Sequence, residues 1–148
     1  KYAIDLKAEE VTMLGATGTR YDHTLANISL LALLRDEGID AHIVDAHNEI
    51  EILRGPVEKK YKKKYNRKGS ETEQKKEYFS IIAFSPEVTG IDEEGFSYPL
   101  HKETLNKKKS IGVRNEIVEK KAILGLKSGY LMFMGTKNKK EKLKKGFF

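Results

Sequence analysis

Val11-Thr12-Met13-Leu14-Gly15-Ala16-Thr17-Gly18-Thr19-Arg20-Tyr21-Asp22-His23-Thr24-Leu25-Ala26-Asn27-Ile28 passes from an apolar run through a turn of small residues into an apolar, helix-like run. Val11–Leu14 reads as a short buried strand. From Asp22 or Thr24 the pattern predicts a helix to Glu37, closed by Gly38. Leu25, Ile28, Leu30, Leu31, Leu33 and Leu34 cover more than one stripe of that helix, so it is expected to be largely buried. Ala41–Val44 supplies the next strand. Strand, helix and strand joined by short connections make a βαβ unit, with a parallel pair and a right-handed crossover. A ligand of such a sheet belongs outside the carboxyl ends of its strands, which is where Gly15–Asp22 falls.

The chemistry of that turn suits an anion. Gly15 and Gly18 let the backbone pass close to a ligand, and a helix start offers N–H groups and a partial positive charge. Arg20 adds a planar fork matched to phosphate. Thr17 and Thr19 could donate hydroxyls to phosphate, although turn formation alone accounts for them. Asp22 could orient Arg20, contact a substrate or hold a metal through water; it could equally be the helix N-cap. His23 could accept a proton or bond a phosphate, or simply satisfy backbone partners at the helix start. Asn27 is expected to pack or bond the backbone. His42 reads as a strand residue, His101 carries no signal, and Asp45 and His47 lack the spacing of a metal site.

Beyond Asp45 the helical period disappears. Short β-rich runs follow at Glu49–Leu53, Tyr78–Phe84, Phe96–Tyr98, Ile117–Leu124 and Tyr130–Met134, separated by turn signals such as Ser85-Pro86 and Ser128-Gly129. They predict an antiparallel β-sandwich. The lysine-rich stretch 58–77, around Tyr61 and Tyr65, is expected to be a solvated hairpin or loop, and Lys1–Lys7 the last turns of a helix. The expected fold is thus α/β plus all-β: a partial βαβ unit over 1–47, a sandwich over 48–136 and a lysine-rich tail over 137–148.

The 148 residues include no cysteine, and no apolar run approaches the length needed to span a bilayer. A cytoplasmic protein is expected. Residues 1–53 carry four Lys and Arg against ten Asp and Glu, whereas residues 54–148 carry twenty-four against twelve. Such asymmetry can mark a nucleic-acid-binding module; a solvated lysine-rich surface is the preferred account, because the lysines sit in expected loops and the tail.

The run from Gly15 to Ile28 closely resembles the signature of thiamine pyrophosphokinases (thiamine diphosphokinases). The resemblance continues through Asp45-Ala46-His47-Asn48-Glu49-Ile50, Phe84-Ser85-Pro86-Glu87-Val88-Thr89-Gly90 and Gly95-Phe96-Ser97-Tyr98-Pro99-Leu100, then Gly112-Val113-Arg114-Asn115-Glu116 and Lys127-Ser128-Gly129-Tyr130-Leu131, in the family's order. It implies transfer of a pyrophosphoryl group from ATP to the hydroxyethyl oxygen of thiamine, with Mg2+, releasing AMP. Arg20, Asp22 and His23 are then the catalytic candidates, and Gly15, Thr17, Gly18 and Arg20 the nucleotide-binding ones. The resemblance assigns Arg114 and Asn115 to thiamine binding, contributed by one subunit of a homodimer to the α/β domain of the other; the family has serine where this chain has Arg114. Some family members carry glutamine at the place of His23. The family's magnesium-binding aspartates lie in a preceding α/β segment, so the chain is expected to be the C-terminal part of a longer protein. The metal carboxylates are expected upstream of Lys1, and these 148 residues alone are expected to be nearly inactive. The competing readings are a basic nucleic-acid-binding module and a non-catalytic sandwich that dimerises.

Overall fold

A computed structural model describes residues 2–63 and 76–138. A short helix, α1 (Tyr2–Asp5), leads to strand β1 (Glu10–Leu14), helix α2 (Tyr21–Asp36) and strand β2 (Asp40–Val44). β1 and β2 pair in parallel, with Glu10 opposite Asp40 and Leu14 opposite Val44. The expected βαβ unit is present. α2 stops where the Gly38 N–H donates to the Arg35 carbonyl (3.1 Å) and the Ile39 N–H to the Leu34 carbonyl (2.9 Å), the paired bonds of a glycine-terminated helix.

The remaining strands are β3 (Asn48–Arg54), β4 (Val57–Lys62), β5 (Lys76–Ala83), β6 (Glu87–Glu94), β7 (Glu103–Asn106), β8 (Lys121–Leu126) and β9 (Tyr130–Asn138). They complete one sheet in the order β1-β2-β3-β9-β5 and form a second in the order β4-β8-β6-β7. All pairs other than β1–β2 are antiparallel. The parallel pair is therefore the end of a longer mixed sheet, joined to the sandwich through β2–β3.

That sheet has a core on each face. α2 lays Ile28, Leu31 and Leu34 against Ala41, Ile43, Ile50 and Ile52, with Met132 and Met134 of β9 packed alongside. On the opposite face Leu53, Phe79, Ile81, Leu131 and Phe133 meet Val88, Ile91, Leu105 and Leu124 of the second sheet. Phe133 stacks on Tyr61 with centroids 4.2 Å apart and lies 5.4 Å from Phe79. Helix layer, shared sheet and second sheet make three layers.

Several expectations need correction. α2 buries one face only: Leu25, Leu30 and Leu33 are exposed at 64%, 47% and 49%. Val57–Lys62 is a strand paired with β8 rather than part of a solvated hairpin or loop, alternating half-buried Val57, Lys59 and Tyr61 with exposed Glu58, Lys60 and Lys62. Lys59 disguises the alternation, and a buried acid explains it: Glu51, 4% exposed, pairs with Lys59 and accepts from the Tyr61 hydroxyl at 2.8 Å. Burial, and then the adjoining Glu51 carboxylate, push the Tyr61 phenol far above its usual range. β6 and β7 escape the sequence pattern. In β6 a register shift between Val88 and Ile91 breaks the alternation, and the composition is acidic with a central glycine. Phe96 and Ile117 meet in one isolated bridge rather than in strands, and β8 begins at Lys121. The rest of the lysine-rich middle, 64–75, and of the tail, 139–148, lies outside the described residues.

Candidate functional site

The turn from Gly15 to Arg20 leaves the carboxyl end of β1 and enters α2, beside the end of β2, where Leu14 lies opposite Val44. Gly15 has φ +67, a conformation that excludes most other residues. A Cβ at Gly18 would meet nothing within 4 Å, so the chain's own packing leaves space there. Three fastenings hold the turn. Asn27 donates to the Ala16 carbonyl at 2.8 Å, the Thr17 hydroxyl donates to Asp45 at 2.8 Å, and the Gly18 N–H donates to the Thr24 hydroxyl at 3.3 Å.

Arg20 occupies the N-cap of α2 without a side-chain capping bond of its own. Asp22 is therefore a first-turn residue and not the N-cap. The Arg20 guanidinium grips Asp22 with two bonds, 3.2 and 2.6 Å, and both side chains are well exposed. That contact, the main one acting on Asp22, lowers its carboxyl below the ordinary range. His23 is exposed, with Nε2 3.9 Å from the Asp22 carboxylate. The structure thus gathers Arg20, Asp22 and His23 at a solvent-facing helix start. Asn27 bonds the backbone, as its position suggested.

The second set of candidates lies along the edge of β5. Residues 112–115 are laced to it: the Ile81 N–H donates to the Gly112 carbonyl, and Phe79 and Asn115 exchange bonds of 2.8 and 2.7 Å. A Cβ on Gly112 would lie 2.2 Å from Ile81 Cγ1, so the approach requires glycine. Arg114 has φ +64, and its guanidinium sits 5.0 Å from the centroid of the Tyr78 ring. Asn115 is 6% exposed, and its amide is turned inward. It accepts from the Tyr98 and Glu116 N–H groups and donates to the Tyr98 carbonyl at 2.9 Å. Behind it Glu93, 2% exposed, has its carboxyl raised by burial. Tyr98, Ile111, Val113 and Val118, from the same region of sequence, are exposed.

Residue spacing did not reveal how Asp45 is held. A metal site calls for neighbouring His or carboxylates, whereas the partners of Asp45 are N–H and O–H donors from two segments, Thr17 in the turn and His47 and Asn48 just after Asp45 itself. His42 lies on β2, with Nδ1 buried and unpartnered among the described residues. A shallow cavity at the far end of α2 is bordered by Arg35, Arg54 and Lys59. Its cations are already paired with Asp40, Asp36 and Glu51, so they offer no open positive charge to an anion. Among the described residues, no three His, Asp or Glu side chains converge on a metal position.

Residues 68–131 match the model of the thiamin pyrophosphokinase vitamin B1 binding domain. Thiamine pyrophosphokinase of Bacillus subtilis is 26% identical over 133 residues, covering 90% of this chain and 58% of the relative. The crystal structure of the Bacillus subtilis enzyme superposes with a TM-score of 0.80 over 91% of this chain and 58% of its own, at 26% identity. That of Geobacillus thermodenitrificans gives 0.77 over 93% and 58%, at 25% identity. Thiamin pyrophosphokinase from Candida albicans shares the fold, with a TM-score of 0.70 over 86% of this chain and 44% of that one, at 15% identity. The chain spans a little over half the length of its bacterial relatives. The likeness runs along nine-tenths of the chain and through both halves of the fold, and each of these comparisons points to thiamine pyrophosphokinases.

Proposed function

We propose that this chain serves a thiamine diphosphokinase, which transfers pyrophosphate from ATP to thiamine and yields thiamine diphosphate and AMP. The supporting observation is the Gly15–Asp22 turn, fastened at the carboxyl ends of a parallel pair with Arg20 open to solvent. In the reaction the thiamine hydroxyl oxygen bonds to the β-phosphorus, the bond from that phosphorus to the oxygen retained by AMP breaks, and the hydroxyl proton departs. Transfers of this kind depend on positioning and on stabilising charge.

Gly15, Thr17, Gly18 and Arg20 make up the nucleotide side. Arg20 binds the phosphates, with Asp22 holding its fork in orientation. His23 binds phosphate or the alcohol. Residues 1–47 supply this side, and residues 48–136 the thiamine side. There Arg114 stands at the surface, and Asn115 braces the Tyr98 loop with its amide. Two copies pair so that the 112–115 loop of one faces the Gly15–Asp22 turn of the other, in a cytoplasmic enzyme. The resemblance brings Mg2+ with the ATP, and the described residues do not compose a centre for it.

Calorimetric titration of the chain with ATP and with thiamine tests the reading. Both should bind, and Arg20→Ala should weaken ATP about tenfold or more while leaving thiamine unchanged, the loss expected for a charge-assisted bond to phosphate. Failure of the unmodified chain to bind either compound would overturn the proposal.

A further inference from the structure

Asp45 stands just past the end of β2, and its two oxygens are fully engaged. Oδ1 accepts from the His47 N–H (2.7 Å), the Asn48 N–H (2.7 Å) and the Asn48 amide (3.2 Å). Oδ2 accepts from the Thr17 hydroxyl (2.8 Å) and again from the Asn48 amide (3.2 Å). Asn48 is braced in turn, its Oδ1 accepting from Thr136 of β9 at 3.1 Å. A carboxylate so surrounded has no lone pair directed at open space, so it is not arranged to ligate a metal.

The contact to Thr17 differs in kind from the turn's other two fastenings. Asn27 and Thr24 tie Ala16 and Gly18 to α2, so they move with the helix. Only the Asp45 bond, among these three, ties the turn to the sheet. It also commits the Thr17 hydroxyl proton. Phosphate oxygens only accept, so Thr17 in this arrangement offers a ligand its backbone and not its hydroxyl.

We propose that Asp45 is a positioning residue for anion binding: through Thr17 it locks the Gly15–Arg20 turn to the β2–β3 connection, so that the turn's backbone and Arg20 are pre-arranged for a polyphosphate. The inference rests on the nucleotide reading above and adds a residue that never touches the ligand. Pre-arrangement raises affinity by removing the cost of ordering the turn on binding.

A double-mutant cycle separates this role from a merely structural one. The chain, Asp45→Ala, Thr17→Val and the double variant are titrated with ATP and with sodium pyrophosphate, and each is melted thermally. Each single substitution should weaken both anions about tenfold, the scale of one charge-assisted hydrogen bond. The double variant should bind no more weakly than the weaker single, because both changes cut one link. Thr17→Ser, which keeps the hydroxyl, should bind within about twofold of the unmodified chain. Independent, multiplying losses in the double variant, or unchanged affinity in folded Thr17→Val, would overturn the inference while leaving the nucleotide reading intact. If Asp45→Ala does not fold, Thr17→Val with its Thr17→Ser rescue decides the matter. Absence of anion binding by the unmodified chain would instead remove the nucleotide reading, and this inference with it.

Discussion

Burial alone would raise the carboxyl pKa of Asp45, but donation from the His47 N–H, the Thr17 hydroxyl and Asn48 outweighs it and holds the group at about 2. An unfolded aspartate titrates near ~3.9. A depressed folded value means stability that is complete above the unfolded pKa and lost as pH falls through the folded one. The chain should therefore exceed Asp45→Asn in stability by up to about 2 kcal/mol at neutral pH. Urea melts should show that gap closing between about pH 5 and about pH 2, and a gap constant across the window would contradict the assignment. Arg20, Asp22 and His23 were legible as a group because adjacency on a helix start needs no tertiary knowledge. Asp45 was not, since its meaning comes from Thr17, twenty-eight positions earlier in the chain.

Among the elements, β1, α2 and β2 could be read from periodicity, because one apolar face and a glycine stop are local signals. β4 could not, because its inward lysine makes sense only against Glu51 on another strand. That pairing makes β4 a test of the sheet-to-sheet contact. Lys59→Ala strands a carboxylate that is 4% exposed. It should cost about 2 kcal/mol, less than the ~3–5 of fully buried pairs because the Lys59 side chain keeps some contact with water. Chemical denaturation would measure the loss, and a change below about 0.5 kcal/mol would mean that the pair is no more than a surface contact.

For the molecule as a whole, the expected division at residue 47 meets a sheet that runs straight through it, from β2 to β3 and on to β9. Periodicity reads segments one at a time and cannot show that two of them share a sheet. Phe133 faces the sandwich core, while its neighbours Met132 and Met134 pack against the core beneath α2. Phe133→Ala should cost about 3–5 kcal/mol. Far-ultraviolet and near-ultraviolet circular dichroism should then report one lowered transition, and two separated midpoints would show that the layers melt apart.

In β3 the usual strand alternation is missing: Ile50, Glu51, Ile52 and Leu53 are all buried in succession. A strand papered on both sides has no outward positions on which neutral change can accumulate. This tetrapeptide should accordingly be the least forgiving stretch in a saturation screen, rejecting even swaps that a half-exposed strand would absorb at every second residue.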